Sequence, residues 1–198
     1  MRYRLAVLML LMLLAVMPVM NVLAAPAPDP SVILDIGPPP KGETAEAYRK
    51  RIIDGLTLHC ILCELWNDPE VRKLSSVAPM KDACPWLARN LRGTEEDRGQ
   101  RIRLAFRAGT RAEQVVILNA MLRVLIRGNE ESIKFQEECL RSHEACIVEL
   151  ERRIASGQHR KSEDSYRMGI DELRSIRIPE VRAEIARLKQ CRVIKWAK

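Results

Sequence analysis

The chain has 198 residues, 47% apolar and 30% charged, which is enough to bury a real core and excludes a disordered or fibrous polymer. Its net charge of +7 comes with only 4% aromatic residues, so its cations lack the rings of a base-stacking platform and nucleic acid is not expected as a partner.

Residues 1–24 read as an export signal. Met1 to Arg4 is basic, Leu5 to Met17 carries no charge, Pro18 and Asn21 break the run, and Val22-Leu23-Ala24 offers the small residues that signal peptidase accepts. The apolar run is shorter than the ~20 residues a membrane-spanning helix needs. Cleavage after Ala24 would deliver the protein to the cell exterior, or to the periplasm if the source is bacterial. Residues 25–43 form an extended proline-rich leader, because proline lacks the amide donor that a helix requires. Residues 44–198 are expected to make one domain.

Within it the punctuation is that of helices, near 44–66, 69–77, 85–92, 95–108, 111–127, 130–156, 163–177 and 179–195. Asp68-Pro69-Glu70 sets a capping acceptor, a first-turn proline and a favourable charge in order. Gly93-Thr94, Gly109-Thr110 and Gly128-Asn129 each place a C-terminal glycine before an N-capping residue, and Thr110 has Glu113 three places on. No long run alternates with period two. The expectation is therefore an all-α fold, an irregular bundle of about seven or eight helices reinforced by disulfides. Residues 55–66 and 115–126 are apolar nearly all round and should lie at its centre.

The cysteines are Cys60, Cys63, Cys84, Cys139, Cys146 and Cys191. Six is an even number, and thiols in an exported chain meet oxidants, so three disulfides are expected. With the 163–177 helix running back and the 179–195 helix returning along 130–156, Cys191 comes level with Ser156, and Cys146–Cys191 is the favoured bridge. Cys84 would come beside Cys60 or Cys63, leaving the other for Cys139. The competing reading is zinc held by Cys60, Cys63, Cys139, His143 and Cys146, since thiolates and imidazole suit a tetrahedral shell. Known zinc sites place C-x2-C in knuckles and not in mid-helix, so no metal is expected. A redox role for Cys60-Ile-Leu-Cys63 is set aside because Cys60 would lie deep inside a helix, away from the terminus that activates such thiols.

No nucleophile elbow, H-E-x-x-H, phosphate-binding loop or dinucleotide fingerprint is present, so neither catalysis nor a cofactor is expected. That leaves binding to another macromolecule, as an effector, an inhibitor or an immunity-type protein, with a protein as the expected partner. Arg103 and Arg107, four apart in 95–108, would face solvent while Ile102, Ala105 and Phe106 point inward. Arg89, Arg92 and Arg111 extend this patch, which would meet carboxylates or an anionic surface. Amphipathic helices with an early C-x2-C and a late cysteine pair also resemble the saposins, which implies lipid carriage as the alternative. The late pair here is C-x6-C and Cys191 lies well beyond it, a departure from that family's pattern.

Overall fold

The structure, a computed structural model, describes residues 29–96, 100–157 and 162–198, so the expected export signal lies outside the described residues. The architecture is mixed. Helices pack on one side of a four-stranded antiparallel sheet, which overturns the all-α bundle of seven or eight helices. The strands are β1 (Ser31–Asp35), β2 (Leu91–Glu95), β3 (Arg101–Phe106) and β4 (Arg192–Lys195), in spatial order β2-β3-β1-β4. The helices are α1 (Ala45–Gly55), α2 (His59–Asn67), α3 (Pro69–Arg72), α4 (Cys84–Asn90), α5 (Arg111–Ser156), α6 (Glu163–Glu172) and α7 (Ile178–Leu188).

The sheet overrides several helical expectations. Arg101-Ile-Arg-Leu-Ala-Phe106 does alternate: Ile102, Leu104 and Phe106 are buried, while Arg101, Arg103 and Ala105 are not. Six residues suffice for a strand when neighbours lie on both sides. Of the proline-rich segment, the Ser31–Asp35 stretch is built into the sheet, with Val32 opposite Leu104 and Leu34 opposite Ile102. At the other end of the chain, where helix was expected to 195, Val193 pairs with Leu34 and Lys195 with Ile33.

Of the three glycine junctions, two also resolve differently. Gly109 has φ +74° and Thr110 caps α5, with Glu113 completing the capping box, as expected. Gly93 instead lies in β2, where a side chain would run into Ile53 of α1 at 3.0 Å. Gly128-Asn129 sits inside α5, which is one helix of 46 residues, about 69 Å long. Asn129 serves another helix: its amide donates to the carbonyl of Leu188 at the end of α7, 3.1 Å away. Nor does Pro179 turn the chain back. Between α6 and α7, Leu173–Arg177 winds as a π-helix in which the Ile178 amide reaches back five residues to Leu173. The wider turn just before Pro179 accommodates its ring and missing donor, and the rod runs on.

The main core lies between the inner sheet face and the helices, where Val32, Ile102, Leu104 and Phe106 meet Leu62, Leu65, Ile117, Leu118 and Met121. The two stretches expected to be central thus do supply core, though against a sheet. The polar exceptions in the second stretch anchor it. Arg123 pairs with Asp68 and Glu70 at the start of α3, and Asn119 accepts from the Ala197 amide. The C-terminal half of α5 packs antiparallel on α6 and α7 as an arm with a smaller core of Ile147, Ile170 and Ile178. Ion pairs Lys189–Glu137, Arg182–Glu144 and Arg174–Glu151 mark its register.

Candidate functional site

The outer face of the sheet collects positive charge. Strand alternation carries Arg101 and Arg103 to the side away from the core, and Arg107 continues that parity one residue past β3, its amide bonded to the Asn90 carbonyl as the ladder runs on. Across the ladders the same face receives Arg92 from β2, opposite Ala105, and Lys195 and Arg192 from β4, opposite Ile33 and Asp35. Helices α1 and α5 pack against the sheet through the inner residues, and no described helix crosses the outer face. Arg103 is held there: its Nη1 donates to Ser31 Oγ at 3.1 Å and its Nη2 pairs with Glu96. Among the described residues, Asp35 and Glu96 are the acids of this surface, so cations predominate among them.

Arg103 and Arg107 therefore share a face, as expected, but for a different reason. Residues four apart align both on a helix and on a strand. Ala105, expected inside, lies on the outer face, and Leu104 lies inside. Arg89 does not join the patch, because α4 carries it on the inner side of the sheet, where Trp86 packs edge-on against Phe106 with ring centroids 5.2 Å apart. Arg101, Arg192 and Lys195 were missed. The alternation in Arg101–Phe106 was the available signal for the first, whereas β4 could be placed only by its distant partner β1.

A second feature is a cleft of about 430 Å³ between β1, α1, α5 and the end of α7. Leu34, Ile36, Ile126, Ile133 and Leu188 make it largely apolar. At its rim Tyr48 donates to the Ile36 carbonyl at 2.9 Å and accepts from Arg187 at 2.6 Å, while Arg187 also forks onto Glu184. The guanidinium carbons of Arg51 and Arg187 stand 5.2 and 5.4 Å from the Tyr48 ring centre. Burial pushes the Tyr48 phenol above its ordinary value, and its carboxylate partner pushes Arg187 higher still. Both groups keep their protons, and each guanidinium has its own carboxylate, Arg187 with Glu184 and Arg51 with Glu43, so the rim is a band of ion pairs above apolar walls.

The cysteines divide differently from expectation. All six are unbonded thiols in this structure. Because α6 and α7 continue as one rod, Cys191 falls beyond Lys189, whose partner is Glu137, and lines the cleft beside Ile133. It is thus roughly 20 Å along α5 from Cys146, and the Cys146–Cys191 bridge is excluded in this arrangement. Its thiol donates to the Ile36 carbonyl at 3.1 Å, and burial raises its pKa. Cys139, His143 and Cys146 lie on the arm, whereas α2 packs on α5 nearer Arg123, so the zinc set drawn from both helices does not assemble.

Cys84 does come beside Cys63, their sulfurs 3.6 Å apart, with His59 Nε2 3.3 Å from Cys63 Sγ. The long helix expected over 44–66 breaks at Leu56–Leu58, and α2 begins at His59, which puts Cys60 in a first turn and not in mid-helix. Cys60 is exposed there, Cys63 half-buried and Cys84 buried. Burial, with Cys63 and Asp82 adjacent, pushes the Cys84 thiol up to about 12.

The fold and site together define an α+β protein with one face of its antiparallel sheet free of described helices and rich in arginine. Compared with protein-family models, curated proteins and solved structures, the chain matches none.

Proposed function

We propose that this is an exported protein that works by binding and not by catalysis, as an effector, inhibitor or immunity-type protein, docking the outer face of its sheet on an acidic protein surface. The observation that carries this reading is the convergence of Arg101, Arg103 and Arg107 with Arg92, Arg192 and Lys195 on one side of the sheet. A sheet is stiffer than a loop, so its guanidinium groups are spaced in advance and lose less freedom when they fork onto carboxylates. Complementary charge of this kind chiefly sets encounter rate and choice of partner. Affinity capture of the mature chain from its native surroundings tests the reading. Changing Arg103 and Arg107 together to Glu should leave folding nearly intact, because both lie on the outer side, yet weaken capture about tenfold or more, and the wild-type interaction should fade with added salt. Undiminished capture by the variant at low salt would eliminate the face. Retention on anionic lipid vesicles without a captured protein would point to a membrane surface instead.

The cleft favours a second reading, an amphipathic ligand with its chain against Ile126 and Ile133 and its polar end at the Arg51–Glu43 and Arg187–Glu184 pairs. A lipid carrier of this kind should co-purify with lipid on organic extraction. A purified protein that yields none would leave the cleft unassigned.

A further inference from the structure

The cluster at the start of α2 has the dimensions of a metal shell. In a tetrahedral site with metal–sulfur bonds of about 2.3 Å and metal–nitrogen bonds of about 2.05 Å, two sulfurs stand about 3.8 Å apart and a sulfur and a nitrogen about 3.6 Å. The observed Cys63–Cys84 and Cys63–His59 separations are 3.6 and 3.3 Å, and all three donor atoms lie within 4.8 Å of one another. Two edges of a tetrahedral face are therefore already set. The third closes by rotation of His59, which is exposed and free of the core.

Two local devices place the three donors. His59 and Cys63 are four apart on α2 and so share a face. Cys84 opens α4, where Asp82 accepts from its amide at 2.9 Å and holds the turn that presents the sulfur to α2. We propose that His59 Nε2, Cys63 Sγ and Cys84 Sγ bind a thiophilic divalent ion, zinc being the chemical match, with the fourth position open to solvent beside exposed His59. This set differs from the one expected from spacing alone, since it takes Cys84 in place of Cys139, Cys146 and His143 and leaves out Cys60. Two thiolates and an imidazole suit zinc and its spectroscopic surrogate cobalt, and exclude the hard ions that prefer oxygen. On binding, each thiol gives its proton to solvent as its sulfur takes the metal, and no electron is transferred. The site stands apart from the sheet face and does not depend on it.

The test is anaerobic titration of the reduced full chain with cobalt(II). One cobalt per chain should bind, with sulfur-to-cobalt charge-transfer absorption and tetrahedral visible bands that added zinc abolishes. Loss of a ligand should exceed the ~10–100-fold loss of affinity that outer-sphere changes cause. Cys63→Ser should therefore weaken binding by at least that much. His59→Ala, at an exposed position that cannot unfold the core, should do so with an unchanged circular dichroism spectrum. Cys60→Ser should bind as the wild type does. No charge-transfer band, or binding that survives both Cys63→Ser and His59→Ala, would overturn the proposal. So would protein recovered from its native compartment with Cys63 and Cys84 joined in a disulfide and no metal.

Discussion

Leu104→Ala is expected to destabilise the protein by about 2–5 kcal/mol, while Ala105→Thr, one residue on, should change stability by less than about 0.5 kcal/mol. Leu104 is fully buried on the inner sheet face, pairs with Val32 and Gly93 on either side and packs in the main core. Removing its side chain leaves a cavity walled by a sheet and helices that cannot collapse easily. Ala105 faces outward between Ser31 and Arg92, where a β-branched residue suits the pleated surface. A helix over 95–108 would reverse the order, since it puts Ala105 inside and Leu104 in solvent. Urea denaturation of the two variants decides, and a costly Ala105 change beside a harmless Leu104 change would contradict the strand.

Glu113→Ala should cost roughly 3 kcal/mol at neutral pH, more than an ordinary helix cap, because this carboxylate serves two elements. Its Oε2 accepts from the Thr110 amide at 2.8 Å, closing the capping box of α5. Its Oε1 accepts from Ser75 Oγ at 2.9 Å and from the Ser76 amide at 3.0 Å, tying the turn after α3 to the same point. Alanine leaves those donors in a half-buried place with no acceptor. The Thr110 and Ser76 amides hold the carboxyl down at about 2, below its ordinary 4.5. A depressed folded-state pKa contributes stability in full above pH 4.5 and loses it as pH falls from there toward 2. The wild-type advantage over Glu113→Ala should accordingly shrink between pH 5 and pH 2. An equal difference at pH 7 and pH 2.5 would mean that charge on Glu113 plays no part.

Much of the local structure was legible because its rules act over a few residues. Asp68 caps α3 with bonds to Glu70 and Val71, Thr110 caps α5, and Leu140 and Ile154 flank Ile147 in the arm at intervals of seven. The failures are non-local. Gly93-Thr94, Gly109-Thr110 and Gly128-Asn129 look alike, yet one lies in a strand, one ends a turn before a helix and one sits inside a helix. What separates them is contact: Ile53 crowds Gly93, and Leu188 takes the Asn129 amide. The same limit hid the sheet. Ser31–Asp35 and Arg192–Lys195 are short and carry no hairpin signal, and each becomes a strand only through partners far along the chain, the first against Arg101–Phe106 and the second against Ser31–Asp35. For the candidate face, Arg103 and Arg107 were found because a spacing of four serves either element, while Arg192 and Lys195 required the register. For the metal cluster the return of Cys84 to the C-x2-C was legible, and His59 lies four before Cys63 on the same helix face, but that His59, Cys63 and Cys84 form one ligand set required the structure.

The central claim is that the outer sheet face is the binding surface, and arginine footprinting of the captured complex tests it most directly. With phenylglyoxal as the probe, Arg101, Arg103 and Arg107 should lose reactivity when the partner is bound, while Arg174 and Arg182 on the arm keep theirs. Unchanged reactivity at Arg101, Arg103 and Arg107, with protection confined to the arm or to Arg51 and Arg187 at the cleft, would contradict it.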